Sequence, residues 1–247
     1  MKKFKRFTIF AFVLSIFILV SCYDQDDKLL PDTPEEILEN PFVKNANKEA
    51  DFPIHKGNNP PALAGTYLAN GQVTDASYLL SEMIGSTIAS EFILSRQTSS
   101  GKIDFEERVN GLRVTGRGGY ITGANGNFTI YMVSEQTGSE AGLPNDVSIT
   151  VVMLMSGKQS SNGNLTGVEG ITIIIEAKSS NKAYDLSAIK GLWEKWEADF
   201  YLQAENRSTS ALKSSTNADA QLLLQRAMQI VSRHLPTARC ELTEWGK

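Results

Sequence analysis

Four stretches of this chain alternate apolar and polar residues with a period of two. In the first, Val147, Ile149, Val151, Met153 and Met155 share a face, and Ser148 and Thr150 lie opposite beside Val152 and Leu154. In the second, Ile171, Ile173, Ile175 and Ala177 oppose Thr172, Glu176 and Lys178. Phe128, Ile130 and Met132 make a third stripe. Trp196, Ala198, Phe200 and Leu202 make a fourth, with Lys195, Glu197, Asp199 and Tyr201 outward. Successive side chains of a strand point to opposite faces, so this period prescribes antiparallel sheet wetted on one side. Two of the stripes back onto a partly apolar second face, and those strands are expected to be covered on both sides.

Turn signals separate the stripes. They are Ser99-Ser100-Gly101-Lys102, Asn110-Gly111, Gly123-Ala124-Asn125-Gly126-Asn127 and Ser161-Asn162-Gly163-Asn164. Asn and Gly tolerate the positive φ that tight hairpins require. The spacing leaves no room for helical crossovers, so the chain reads as an antiparallel up-and-down meander of eight or nine strands over 64–203. Further candidate strands begin at Gly65-Thr66-Tyr67-Leu68 and include Ser86 to Arg96, Lys102 to Val109, Leu112 to Thr115 and Gly119 to Thr122. A meander this long must hide its edges. A closed barrel does so best, and a β-sandwich is the alternative. The fold class is mainly β, with a β domain over 63–205 and one C-terminal helix. That helix is expected at 217–235, where Ala220, Leu223, Leu224, Ala227, Met228, Val231 and Leu235 recur at three- and four-residue steps. It follows a Ser-rich linker within the C-terminal segment 206–247.

Gly65-Thr66-Tyr67 before the first strand, an up-and-down barrel and a helix after it together resemble the lipocalin or calycin group. That group carries Gly-x-Trp at the first position, so Tyr67 is a departure. The resemblance implies a barrel interior that holds a small apolar ligand.

The N-terminus carries an address. Lys2, Lys3, Lys5 and Arg6 precede an apolar run from Phe7 to Val20, followed by Leu19-Val20-Ser21-Cys22. This is the order of a cleaved export signal over 1–21. The last four residues resemble the bacterial lipobox, which implies lipidation of Cys22, with palmitate among the acyl chains, and stable anchoring by several chains at one residue. Tyr23-Asp24-Gln25-Asp26-Asp27 resembles the acidic export tag of Bacteroidetes-type lipoproteins. It implies a lipid-anchored place on the outer membrane, on its periplasmic or its cell-surface face. Residues 22–62 hold six of the eight prolines and many charges. They read as a tether, with one helical turn at Thr33-Pro34-Glu35-Glu36-Ile37-Leu38. An arm packed along the domain is the alternative.

Chemistry is sparse. Cleavage removes four of the 24 basic residues and none of the 28 acidic ones, leaving a mature charge of −8. That balance argues against nucleic acid as a partner. Cys240 is left without a disulfide partner once Cys22 is lipidated. The two histidines, His55 and His234, lie far apart in the sequence, and no zinc or hydrolase motif occurs. Gly116-Arg117-Gly118-Gly119 reads as a turn or bulge. Glu106 and Glu107 point to opposite faces of a strand and do not form a carboxylate pair. Glu194, Glu197 and Asp199 share a strand with Trp193 and Trp196. Acids beside rings suit a sugar, which makes Trp193, Trp196 and Tyr201 the candidate ligand-binding residues, but a solvated outer face is the favoured reading of those acids. No cofactor and no catalytic residue is expected. The functional reading is a non-catalytic module that binds a small apolar ligand or a glycan. The alternatives are an adhesin-like accessory protein acting by protein contact through the 217–235 helix, and a glycan or lipid hydrolase.

Overall fold

A computed structural model describes residues 33–203 apart from 110–111, 116, 138–145 and 181–185. Cys22, Cys240, His234 and the expected helix at 217–235 therefore lie outside the described residues.

The body is a closed eight-stranded antiparallel up-and-down barrel. Its strands are β1 (Gly65–Ala76), β2 (Thr87–Ser95), β3 (Lys102–Val109), β4 (Leu112–Thr115), β5 (Arg117–Ala124), β6 (Asn127–Thr137), β7 (Val147–Gln159), β8 (Leu165–Ser179) and β9 (Trp193–Leu202). Strands β4 and β5 lie along the same edge of β3 and together fill one barrel position. Antiparallel pairing of β9 with β1 and of β2 with β3 closes the ring, so the barrel is the outcome and the sandwich is not.

The turns do what their residues require. Asn125 and Gly126 are the two loop residues between β5 and β6, with φ of 55° and 82°. Positive φ at both positions is the demand of a type I′ hairpin, which Asn-Gly meets. Pairing of β5 with β6 shifts register between Arg117 and Tyr120, so the glycine-rich run there is a bulge.

Three of the four stripes line the interior as expected. A bulge changes the fourth. Thr150 pairs with Glu176 but Val151 pairs with Ile174, which leaves Ile175 as the extra residue on β8. Ile174 and Ala177 therefore join the interior with Ile149 and Val151. Ile171 and Ile173, before the bulge, face outward and are still fully buried. One extra residue reverses the faces of a strand, and alternation alone does not reveal where it is inserted.

What buries Ile171 and Ile173 corrects the reading of 22–62. From residue 33 onward that segment is an arm laid on the barrel, not a tether. It opens with α1 (Pro34–Glu39) and α2 (Pro41–Glu49), and α2 lies against β8. Pro34 and Pro41 stand at the start of each helix, where a missing N–H costs nothing. Thr33 caps the first helix, and the Asn40 side chain accepts from Phe42 N at 3.0 Å to cap the second. Ile37, Val43, Ala46, Ala50 and Phe52 are buried. Beyond them the chain runs extended across the outside of the barrel. Ser156 Oγ donates to Pro53 O at 2.6 Å, His55 N donates to Thr129 Oγ1 at 2.7 Å, and Gln97 Nε2 donates to Pro61 O at 2.9 Å. The prolines supply acceptors here and lack only a donor that no partner needs.

Candidate functional site

The barrel interior divides into three levels. At the end where β1 begins, Tyr67, Phe92, Phe105, Trp196 and Phe200 are part of one apolar cluster, which Leu63 of the arm joins. Their rings are in contact: Phe92 and Phe200 lie with centroids 4.9 Å apart, and Phe92 and Phe105 5.5 Å apart. The other end holds a second cluster of Val73, Val147, Ile149, Val151, Ile174 and Ala177. Two 3-10 turns, Tyr78–Met83 and Ser187–Ile189, help to close it through Leu80, Met83 and Ile189.

Between these clusters, strand after strand presents a polar or flexible side chain to the interior. On β2 it is Ser90, next inward from Phe92. On β3 it is Glu107, next from Phe105. On β7 it is Met153, between Met155 and Val151; on β8 it is Thr172; on β9 it is Glu194, next from Trp196. Thr172 pairs with Met153 on one side and with Glu194 on the other, so these three are contiguous across the wall. Met153 and Thr172 point inward yet keep partial solvent accessibility, whereas the cluster residues above and below are buried. An inward side chain that a solvent-sized sphere can touch borders unfilled space.

The two carboxylates are the unusual feature. Glu107 is 8 % exposed and Glu194 is 5 % exposed. Burial pushes the Glu107 carboxyl up to about 7, opposed in part by a hydrogen bond with the Ser90 side chain. Burial also pushes Glu194 up to about 7, and the charge of Glu107 pushes it in the same direction. Oε2 of Glu194 is buried and has no hydrogen-bond partner. A buried polar atom without a partner is rare, because desolvation without compensation costs about 1–3 kcal/mol.

The aromatic residues singled out from sequence do not converge. Trp193 faces outward beneath the arm, where its Nε1 donates to Glu49 Oε2 at 3.1 Å. Trp196 lies in the interior, its ring over Gly170, where any Cβ would overlap it. Tyr201 is 54 % exposed on the outside. The acids divide as well: Glu197 and Asp199 are exposed on the outer face as expected, Asp199 accepting from Gly167 N at 3.1 Å, and Glu194 turns inward, against that expectation. The three rings do not meet on β9: Trp196 is an odd number of positions from the other two and sits on the opposite side of the wall, and Trp193 and Tyr201 stand near opposite ends of the strand. Glu106 and Glu107 do oppose each other as expected: Glu106 accepts from Arg108 Nε at 2.7 Å outside, and Glu107 finds its acidic counterpart on β9 instead. The polar level was missed in the sequence, although alternation places Glu194 on the face of Trp196 and Glu107 on the face of Phe105.

Among the described residues no three His, Cys, Asp or Glu side chains gather as a metal site, and no helix is long and apolar enough to cross a membrane. Comparison with known protein families, with curated proteins and with solved structures finds no match to this chain.

Proposed function

We propose that this chain is a lipoprotein of the bacterial outer membrane, anchored through Cys22, whose barrel binds a small apolar ligand without catalysing its reaction. The closed barrel fits that reading, and one observation carries it: Met153 and Thr172 border open space in the interior, with apolar side chains on both sides of their level. Such a setting, apolar walls with a few polar groups, is the usual composition of small-molecule sites. The aromatic cluster restricts the ligand. It fills the interior where β1 begins, so the site is a chamber at the level of Glu107 and Glu194 and not a barrel-length cavity.

Native mass spectrometry of the protein purified from its own host tests the reading, together with titration by a fluorescent apolar probe. The expected result is a retained small molecule, or saturable probe binding that quenches tryptophan emission. A mass equal to the bare acylated chain, combined with no saturable binding, would remove the ligand. The anchor has its own check: Cys22→Ala is expected to abolish incorporation of labelled palmitate and move the protein out of the membrane fraction.

A further inference from the structure

Two buried acids face one level of the barrel interior, from β3 and from β9. Among the described residues the only charge that registers at Glu194 is that of Glu107, and Glu107 has Ser90 as its hydrogen-bonding partner. One oxygen of Glu194 bonds to nothing. Lys195, the nearest cation in sequence, is on the other side of the wall, paired with Glu169 at 2.6 Å and bonded to Ala50 O at 3.3 Å. The interior therefore offers two acceptor groups, an unused lone pair and space beside Met153 and Thr172, and among the described residues no cation is bonded to either acid.

We propose that this chamber takes a small apolar amine, its ammonium seated between Glu107 and Glu194 and its hydrocarbon against Met153 and Trp196. This rests on the ligand-binding reading above and names its substrate class. An ammonium brings several donors and the missing positive charge, and charge-assisted hydrogen bonds are about twice as strong as neutral ones. A bare divalent cation fits less well. Calcium takes six or more oxygens and magnesium a full octahedron, and no third acidic group joins these two among the described residues. A carboxylate ligand is repelled by the same two groups.

The test uses the mature chain carrying Cys22→Ser, so that no acyl group competes. Matched series of linear alkylamines, alcohols and fatty acids, from four to eight carbons, are titrated by calorimetry at pH 8. The amine is expected to bind at least about tenfold tighter than the alcohol of equal length, and the acid more weakly than both. Glu194→Gln is expected to reduce that preference about tenfold, with near-ultraviolet circular dichroism confirming the fold. Glu107→Gln serves as the second variant and keeps its bond to Ser90. The wild-type preference is expected to shrink below pH 6. Equal binding of amine and alcohol, or a preference that survives both substitutions, overturns the amine and leaves the apolar chamber standing. Binding of none of the three series overturns both readings.

Discussion

At Glu107 and Glu194 the barrel holds acids in a place that disfavours their charge. Both are driven up to about 7 by burial, from 4.5 in an unfolded chain. Between those values the unfolded state gives up its protons and the folded state keeps them. Stability contributed by these groups is therefore complete below about pH 4.5 and is lost as pH rises to about 7. At about 1.4 kcal/mol per pH unit the loss is of order 3 kcal/mol for each carboxyl. Glu194→Gln is expected to be more stable than the parent at pH 8 by roughly 1–3 kcal/mol, with the difference closing toward pH 5. Urea unfolding at the two pH values measures it, and an equal difference at both would show that ionisation is not the cause. A second residue-scale dependence is Gly170. The Trp196 ring occupies the position a side chain would take there, so Gly170→Ala must push the indole aside. The expected cost is about 1–3 kcal/mol, with a shift of tryptophan emission to the red.

Among the elements, the arm over 33–63 departs most from its sequence signature. Proline-rich and charged, it has the composition of a spacer. Yet its prolines fall at helix starts and in extended backbone, where they are harmless, and six of its apolar residues, Ile37, Val43, Ala46, Ala50, Phe52 and Leu63, are buried. Ile37 and Val43 are fully buried, and Leu63 reaches the interior cluster. Ile37→Ala is expected to destabilise the whole barrel by about 2–5 kcal/mol, and Asn40→Ala by about 1 kcal/mol through loss of the cap. Chemical denaturation checks both. A near-zero effect of Ile37→Ala would mean the arm is not part of the cooperative unit. The β8 bulge works with the arm: it leaves Ile171 and Ile173 outside, and the arm is what keeps them from water.

For the molecule as a whole, closure determines what the interior can be. Pairing of β9 with β1 and of β2 with β3 closes the sheet into a ring, and the short β4 is paired along its β3 side. Both carboxyls of the level between the two apolar clusters are buried, which strengthens any charge interaction made there. A ligand held in that level would stabilise the fold in proportion to its concentration over its dissociation constant. At one hundred times that constant the gain is about 2.7 kcal/mol. Thermal melting with and without each amine therefore offers a readout independent of calorimetry. An unchanged midpoint at saturating amine would mean that the amine does not bind the folded barrel.

Alternation and turn chemistry determined most of the strands by themselves. Period two admits one secondary structure, and Asn125-Gly126 admits one kind of hairpin; Lys102–Val109 and Leu112–Thr115 begin and end where the pattern places them. These are local properties, and local sequence encodes them. The direction of each stripe was legible only where no bulge intervened, because a single inserted residue on β8 exchanges the two faces and leaves the composition unchanged. The arm was illegible for a different reason: whether a proline-rich segment is a spacer or a cover depends on apolar surface left exposed elsewhere, on β8 more than a hundred residues away. The paired acids belong to that second kind. Glu107 and Glu194 stand on strands that β1 and β2 separate in the ring, and they face one interior only when the barrel shuts, so the tertiary structure alone could turn the two carboxyls toward one level.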